Sequence, residues 1–260
     1  MLFPFAKYHG TGNDFVLIDN RARKFPINNH QAIAHICHRN FGIGADGFIL
    51  IENAEDADFY MRFFNSDGYE GSLCGNGSRC AVHYAKTLGL VSEDVRFGAA
   101  DGIHQASFEG EEVALSLHPI SKWKAYKEHI FINTGSPHHV LFVDDVVRED
   151  VAQIGAAIAH GAPYYSDGTN VNFVQQLDAH SIHVRTYERG VEAETLSCGT
   201  GVTAAAIAMH ISKRTQATKL AIITTGGHLS VSFSPKRNGY EQIVLQGPAQ
   251  IVYEGNWELK

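Results

Sequence analysis

Along "DADFYMRFFN" polar and apolar residues alternate in the manner of a half-buried strand ending at Phe64, and "AHSIHVRTYE" repeats the pattern up to Tyr187. Upstream of each, a glycine-containing turn opens onto an apolar run: "HGTGNDF" before "FVLID" (Phe15 to Asp19), and "TGSPHHV" before "VLFVDD" (Val140 to Asp145). Further helices are predicted near His30 to Arg39 and Asp150 to His160, the second stopped by Gly161 as a C-cap. Downstream, the segments "SLCGNGSRC" (Ser72 to Cys80) and "LSCGTGVTA" (Leu196 to Ala204) each open what reads as an amphipathic helix. A strand, a turn and a hairpin follow in both places, closing at Pro119 and Pro248.

The recurrence keeps register. Asn13 to Cys74 spans 61 positions and His138 to Cys198 spans 60, and the alternating strands end ten and eleven residues before their cysteines. The chain is therefore an internal duplication of α/β (α+β) class: two pseudo-symmetric units, each of strands wrapped around a central helix that begins just after the cysteine. The boundaries expected are 1–119 plus 249–260 for one unit and 120–248 for the other. The linker is placed at Ile120 to Trp123, and the tail "AQIVYEGNWELK", which has no counterpart in the first half, is expected to return and pair with the first unit.

Composition narrows the function without choosing it. Of 260 residues, 44% are hydrophobic and 19% charged, which is globular rather than disordered. The net charge of −7, with no cluster of Lys and Arg, argues against nucleic acid or an anionic membrane surface as partner and in favour of a small ligand. The start "MLFPFAKYHG" does not read as a signal peptide, and no window has the 18 apolar residues of a membrane span, so a cytoplasmic protein is expected. In that compartment Cys37, Cys74, Cys80 and Cys198 stay reduced.

A thiol at a helix N-terminus sits beside unpaired N–H groups and the positive end of the helix dipole, which can lower its pKa from about 8.5 into a range of roughly 3.5 to 7.5. Glycines after it let an anion approach the backbone. Two such thiols, one ionised and one not, could remove a proton from one face of a carbon and deliver one to the other. General acid/base action contributes only about 10² to 10⁴ in rate. Convergent N–H donors on the developing enediolate, worth about 10² to 10³ each by analogy with oxyanion holes, would have to add to it. Zinc is the weaker reading, because Cys74 and Cys80 are six apart and Cys198 has no near cysteine. A Cys74–Cys198 disulfide in a reducing compartment would be an oxidation artefact. Cys37 and Cys80 read as buried small hydrophobes.

The ordered set "HGTGNDF", "GIGADG", "FFNSDG", "CGNGSRC", "GSPHH" and "YERGVEAETLSCGTG", from about Lys7 to Gly201 and continuing through "TGGHLSV", resembles the diaminopimelate epimerase family. Those enzymes interconvert LL- and meso-diaminopimelate without pyridoxal phosphate. The resemblance implies two pseudo-symmetric α/β domains with the site in the cleft between them, no cofactor or metal, an amino-acid substrate, a place in lysine and cell-wall precursor synthesis, and a homodimer. It implies that Cys74 and Cys198 are the acid/base pair, with His138 and Glu188 supporting proton transfer. Gly75 and Asn76 at one helix, and Gly199 and Thr200 at the other, would hold the reacting carboxylate. Asn13, Asn65, Asn170, Glu188 and Arg189 match substrate-binding positions; an Arg fork suits a carboxylate, and Glu with amide carbonyls suits an ammonium.

Read without the family, Glu188 and Arg189 favour a solvated loop pair of little consequence. Asn13 and Asn65 sit in turns where Asn is at home for backbone reasons, and Asp46 and Asp67 read as turn formers. The chain departs from the family pattern at Ser136, where an Asn is common, at Gly47, where some members carry Gln, and in a loop from Glu188 to Cys198 that is one residue longer than in many. A proline or hydroxyproline racemase would have no second amino-acid head for Glu188, Arg189 and Asn170 to bind. A non-catalytic amino-acid binder would not need the two cysteines.

Overall fold

The computed structural model describes residues 1–71 and 73–259. In chain order the elements are β1 (Leu2–Gly10), β2 (Asn13–Asp19), α1 (His30–Cys37), β3 (Gly47–Glu52), β4 (Phe59–Asn65), α2 (Gly75–Thr87), β5 (Asp94–Ala99), β6 (Gly102–Glu109) and β7 (Glu112–Leu117). There follow β8 (Trp123–Ala125), β9 (His129–Asn133), β10 (Pro137–Phe142), α3 (Val151–His160), β11 (Asn170–Gln176), β12 (Ser181–Glu188) and β13 (Ala193–Thr195). The chain ends with α4 (Gly199–Ile211), β14 (Lys219–Thr224), β15 (Gly227–Lys236), β16 (Gly239–Gly247) and β17 (Gln250–Glu258). It divides into two compact units, Met1–Leu115 with Gly247–Lys260, and Ser116–Gln246. No helix among the described residues is long and apolar enough to cross a membrane.

In unit 1, β17 pairs antiparallel with β1, which forms a hairpin with β2. β2 runs parallel to β3, β3 antiparallel to β4, β4 parallel to β5, and β5 to β7 form an antiparallel meander. Unit 2 repeats the same senses: β9 antiparallel to β10, β10 parallel to β11, β11 antiparallel to β12, β12 parallel to β14, then β14 to β16 antiparallel. The tail thus completes unit 1. Ile120, placed in the linker from sequence, is instead buried in unit 2, where it exchanges two backbone hydrogen bonds with Tyr240 of 2.8 and 2.7 Å.

Each unit is layered around its sheet. Ile33 and Ile36 of α1 pack with Val16, Ile18, Phe48 and Leu50 on one face. Val151 and Ala159 of α3 do so with Val171, Phe173 and Tyr187 in unit 2. The opposite face of the unit 2 sheet wraps α4, where Val202, Ala204 to Ala206, Ile207 and Ala208 meet Val140, Val174, Val184, Leu220 and Leu245. The helix after Cys198 is therefore not amphipathic, as the sequence reading had it, but buried on all sides through Met209. Small residues let strands close around it, and a helix apolar all round belongs inside a core. α1 and α3 start as expected, each N-capped by a side chain: Asn29 accepts from the Ala32 N–H and Asp150 from the Gln153 N–H. α1 stops at Cys37 because His38 is extended, and Gly161 ends α3 with an extended backbone, φ −83°, rather than in the left-handed form typical of a glycine stop.

Candidate active site

Both cysteines singled out from the sequence are N-caps. Cys74 (φ −107°, ψ 116°) precedes α2 and Cys198 (φ −119°, ψ 111°) precedes α4, and in neither case does the side chain cap the first turn. The first helical bonds run from Ser78 N to Cys74 O and from Val202 N to Cys198 O. The N–H groups of Gly75, Asn76 and Gly77, and of Gly199, Thr200 and Gly201, lie ahead of those bonds, in the part of a helix that has no intrahelical acceptor. None of Cys37, Cys74, Cys80 and Cys198 is in a disulfide. Cys37 and Cys80 behave as the expected buried hydrophobes: burial pushes both thiols up to about 12.

In unit 1 the Cys74 sulfur lies 3.7 Å from Asn13 Oδ1. Asn13 is placed by the two-residue hairpin Thr11-Gly12, whose φ angles of 49° and 88° fit a turn with both central residues left-handed. Such a φ is costly for a β-branched residue; Thr11 is held by Arg79, whose Nη2 donates to its hydroxyl at 3.4 Å. The same Nη2 donates to Asn76 Oδ1 at 3.0 Å, Asn76 Nδ2 to Asn13 Oδ1 at 3.2 Å, and Asn13 Nδ2 to Asp46 Oδ2 at 2.7 Å. Guanidinium can only donate and ionised carboxylate can only accept, so the two charged ends fix both amides and turn the Asn13 oxygen toward the thiol.

Arg79 is fully buried, and burial lowers its pKa from the usual arginine value. It also meets the carbonyls of Gly75 and Pro248. Beneath Asn13, Asp14 is gripped by Lys7 at 2.7 Å and Arg39 at 2.8 Å. Burial works against ionisation there, but the hydrogen bonds and charges of Arg39 and Lys7 outweigh it and hold Asp14 at about 2.

In unit 2 the inward face of the sheet turns polar at the end nearest Cys198. Inward Val140, Val174 and Val184 give way to His138, Asn170 with Asn172, and Thr186, with His138 opposite Asn170 and Asn172 opposite Thr186. Thr186 Oγ1 donates to Asn172 Oδ1 at 3.0 Å, and Asn172 Nδ2 lies 3.0 Å from His138 Nδ1. His138 Nε2 lies 3.0 Å from Thr200 Oγ1, which is 3.5 Å from the Cys198 sulfur. Burial first, and then the Arg189 charge, hold the His138 ring neutral, its pKa down at about 3. Thr134 Oγ1 fixes the Thr200 carbonyl at 2.8 Å. Gly201 is required by space: a Cβ there would stand 2.4 Å from Asn172 Oδ1 and 3.3 Å from the Cys198 sulfur.

The remaining candidates divide. Glu188 ends β12, its Oε2 accepting from the Thr195 hydroxyl at 3.0 Å. Asn170 uses its amide within the protein, donating to the Pro137 carbonyl at 3.0 Å and accepting the Arg189 N–H at 3.0 Å. Exposed Arg189 is steadied by the Asp167 carbonyl at 2.8 Å. Asn65 is exposed at the end of β4, where its N–H donates to the Tyr69 carbonyl at 2.9 Å and its carbonyl accepts from the Gly68 N–H at 3.0 Å. Ser136 lies in the turn before β10, its carbonyl accepting from Thr134 N at 3.1 Å. At Gly47 a Cβ would meet the Phe63 ring at 2.6 Å, so that ring fills the space a longer side chain would take.

Asp67 is the turn former expected, accepting from Tyr69 N at 2.9 Å. Asp46 is more than that, since it orients Asn13. Arg79, Asp46, Asn172, Thr186 and Gly201 were not singled out as site residues. The available clue was polar residues on strand faces that otherwise point at a central helix.

Comparison with known proteins agrees with this geometry. The family profile described as "Diaminopimelate epimerase" matches residues 5–118 and 130–252. The chain is 46% identical over 249 residues to the diaminopimelate epimerase of Flavobacterium psychrophilum, covering 95% of this chain and 97% of that protein. It is 41% identical over 256 residues to that of Chlorobaculum tepidum, covering 95% and 98%. Among solved structures, a PhzF-family phenazine biosynthesis protein of Bacillus anthracis shares the fold over 100% of both chains, with a TM-score of 0.81 at 15% identity.

Proposed function

Since the chain belongs to the diaminopimelate epimerase family, we propose that it interconverts LL- and meso-diaminopimelate by two-base proton transfer between the Cys74 and Cys198 sulfurs and the substrate α-carbon. The observation that carries this reading is the matched placement of the two thiols. Each is an N-cap of the central helix of its own unit, and each is touched by a polar network that nothing in the packing of the core requires.

In the forward direction one cysteine, as thiolate, takes the α-proton; the other, as thiol, gives its proton to the opposite face. Each turnover leaves the two sulfurs with their protonation states exchanged, which is the form that catalyses the reverse direction. The substrate α-carboxylate gathers negative charge as the proton leaves. Asn76 with the Gly75 and Gly77 N–H groups, and the backbone N–H groups of Gly199, Thr200 and Gly201, are the donors to hold it. His138 serves through Thr200. Arg189 and Glu188 would receive the distal carboxylate and ammonium, with Asn170 fixing the Arg189 backbone and Asn13 and Asn65 bordering the first-half site.

The two epimerase halves in this reading are 1–119 with 249–260 and 120–248, bounds that fall close to those of the two compact units. The protein would work in the cytoplasm as a homodimer. Support for self-association comes from β17, which pairs with β1 and carries exposed Ile251, Val252 and Tyr253 in succession; exposed apolar surface of this kind marks association sites. Sedimentation of Tyr253→Glu against the natural chain tests this, with a shift to monomer expected.

Incubation with LL-diaminopimelate in deuterated water tests the activity. Meso product carrying one deuterium at the inverted α-carbon is expected. Protein that gives neither turnover nor exchange, while folded by circular dichroism, would end the proposal.

A further inference from the structure

We infer that Asn172 and Thr186 are positioning residues that set the tautomer of His138 and thereby aim the Thr200 hydroxyl proton at the Cys198 sulfur, stabilising its thiolate. The order of the bonds follows from what each group can do. Thr186 Oγ1 donates to Asn172 Oδ1 at 3.0 Å, leaving the amide nitrogen toward His138 Nδ1, also at 3.0 Å. An amide N–H₂ only donates, so Nδ1 is the acceptor and the ring proton sits on Nε2. Nε2–H then donates to Thr200 Oγ1 at 3.0 Å, and the hydroxyl is left with its own hydrogen for the sulfur 3.5 Å away.

Gly201 supports the amide orientation independently. The hydrogen standing where its Cβ would be points at Asn172 Oδ1, with the ideal Cβ position only 2.4 Å from that oxygen. A Cα–H next to an amide oxygen is an accepted contact, whereas next to an amide N–H₂ it would be a collision of hydrogens. Asn172 and Thr186 are both buried, at 0% and 3% exposure, and Thr186 faces the central helix, where a core would place an apolar residue such as Val184 two positions earlier. The titratable and charged groups at this end are His138 of β10 and Glu188 of β12 with Arg189 just after it on the side of Thr186, and His139 and Tyr187 on the opposite face, where His139 meets Tyr164 and Tyr187 packs with α3. The neutrality of His138 means that a hydrogen bond, rather than a full positive charge, reaches the sulfur through Thr200.

The value of this relay to catalysis rests on the two-thiol reading above, but its test does not. Alkylation of the natural chain by iodoacetamide, read peptide by peptide across pH, gives separate reaction profiles for Cys198 and Cys74. Thr186→Val keeps the shape and removes the donor; it should slow Cys198 at pH 7 by about tenfold and move its profile to higher pH, one lost charge-assisted hydrogen bond being worth roughly that factor. Cys74 should be unchanged, and Thr186→Ser should restore Cys198.

A Cys198 rate within twofold of the natural chain in folded Thr186→Val, or an equal change at Cys74, would overturn the inference. Because that variant could disturb the core, nitrogen-15 spectra of the histidine rings of the natural chain supply a second test. His138 must be the Nε2–H tautomer at pH 7, and the Nδ1–H tautomer would overturn the relay outright. Neither measurement uses substrate, so failure of the relay and failure of the epimerase assignment are separable.

Discussion

The two halves of the molecule place the same atom at the same point of the same fold and surround it by different means. Matching the ladder Phe15–Gly47–Asn65 of unit 1 to Val140–Asn172–Thr186 of unit 2 puts Gly47 where Asn172 stands, Asn65 where Thr186 stands and, two residues back along the strand, Asn13 where His138 stands. Two residues past each cysteine are Asn76 and Thr200; five past are Arg79 and Thr203. Unit 1 keeps a buried cation one turn into its helix and a string of amides polarised between Arg79 and Asp46. Unit 2 has no buried cation at the matching place, where Thr203 Oγ1 simply returns to the Gly199 carbonyl at 2.9 Å, and it uses a neutral imidazole and hydroxyls instead. Duplication conserved the position of the thiol and the open N–H groups beside it. How each sulfur is polarised was free to diverge, because any donor set that stays neutral or is fully paired can be buried.

The contrast can be broken first at the glycines after the cysteines. Gly201→Ala drives a Cβ onto Asn172 Oδ1 at 2.4 Å and should lower kcat by about 10² or more, misplacement of an ångström near reacting groups having that cost. Gly77→Ala meets the side-chain ends of Ile49 at 3.1 Å and of Met61 and Phe15 at 3.4 Å, with no polar network atom in the way, and should cost less than about tenfold. Equal losses in steady-state assays would say the two helix starts are not so different.

Arg79→Met comes next. It leaves Asn76 and Thr11 without their donor and should destabilise by about 1 to 3 kcal/mol in urea unfolding, whereas Thr203→Val, removing one local bond, should cost about 1 kcal/mol or less.

Acid should also separate the units. His138 and His139 have folded pKa values near 3 and 4, held down chiefly by burial, with the Arg189 charge adding at His138 and the His129 charge at His139. As pH falls the unfolded chain takes up these protons first, so their stabilisation is complete above 6.5 and is lost between there and about 3. By pH 5 each should already cost unit 2 about 2 kcal/mol. Asp14 works in the other window: ionised and paired at about 2, it stabilises unit 1 fully above 3.8 and fails only as pH drops toward 2. His83, half-buried, adds a lowering by burial in unit 1. Hydrogen exchange at pH 5 should find strands β10 to β12 less protected than β1 to β3. The smallest effect expected is for Asp46→Asn, which frees the Asn13 amide to turn at an exposed carboxylate and should lower kcat by only about two- to tenfold.

Much of this was legible in the sequence because it depends on local pattern. Alternation located β4 and β12, helices were expected to begin near His30 and Asp150, and the repeated Cys-Gly-x-Gly located both helix starts after the cysteines. What escaped depends on partners far away in the chain. Asp46 looked like a turn residue because its bond to Asn13 crosses 33 positions, and Thr186 looked like any strand threonine because Asn172 lies on the neighbouring strand. Arg79 would be read as exposed by its type alone, and only the folded chain shows it wholly enclosed. The burial of α4 was misread for a related reason: an alanine-rich helix has no contrast between faces until the strands around it are known.

The measurement that bears most directly on the central claim is a structure of the chain bound to diaminopimelate. The Cys74 and Cys198 sulfurs should stand on opposite faces of one α-carbon, each within about 3.5 Å, a near-attack distance, with the α-carboxylate on the N–H groups that open α2 and α4. A bound substrate whose α-carbon is reached by one sulfur only, or by neither, would contradict it.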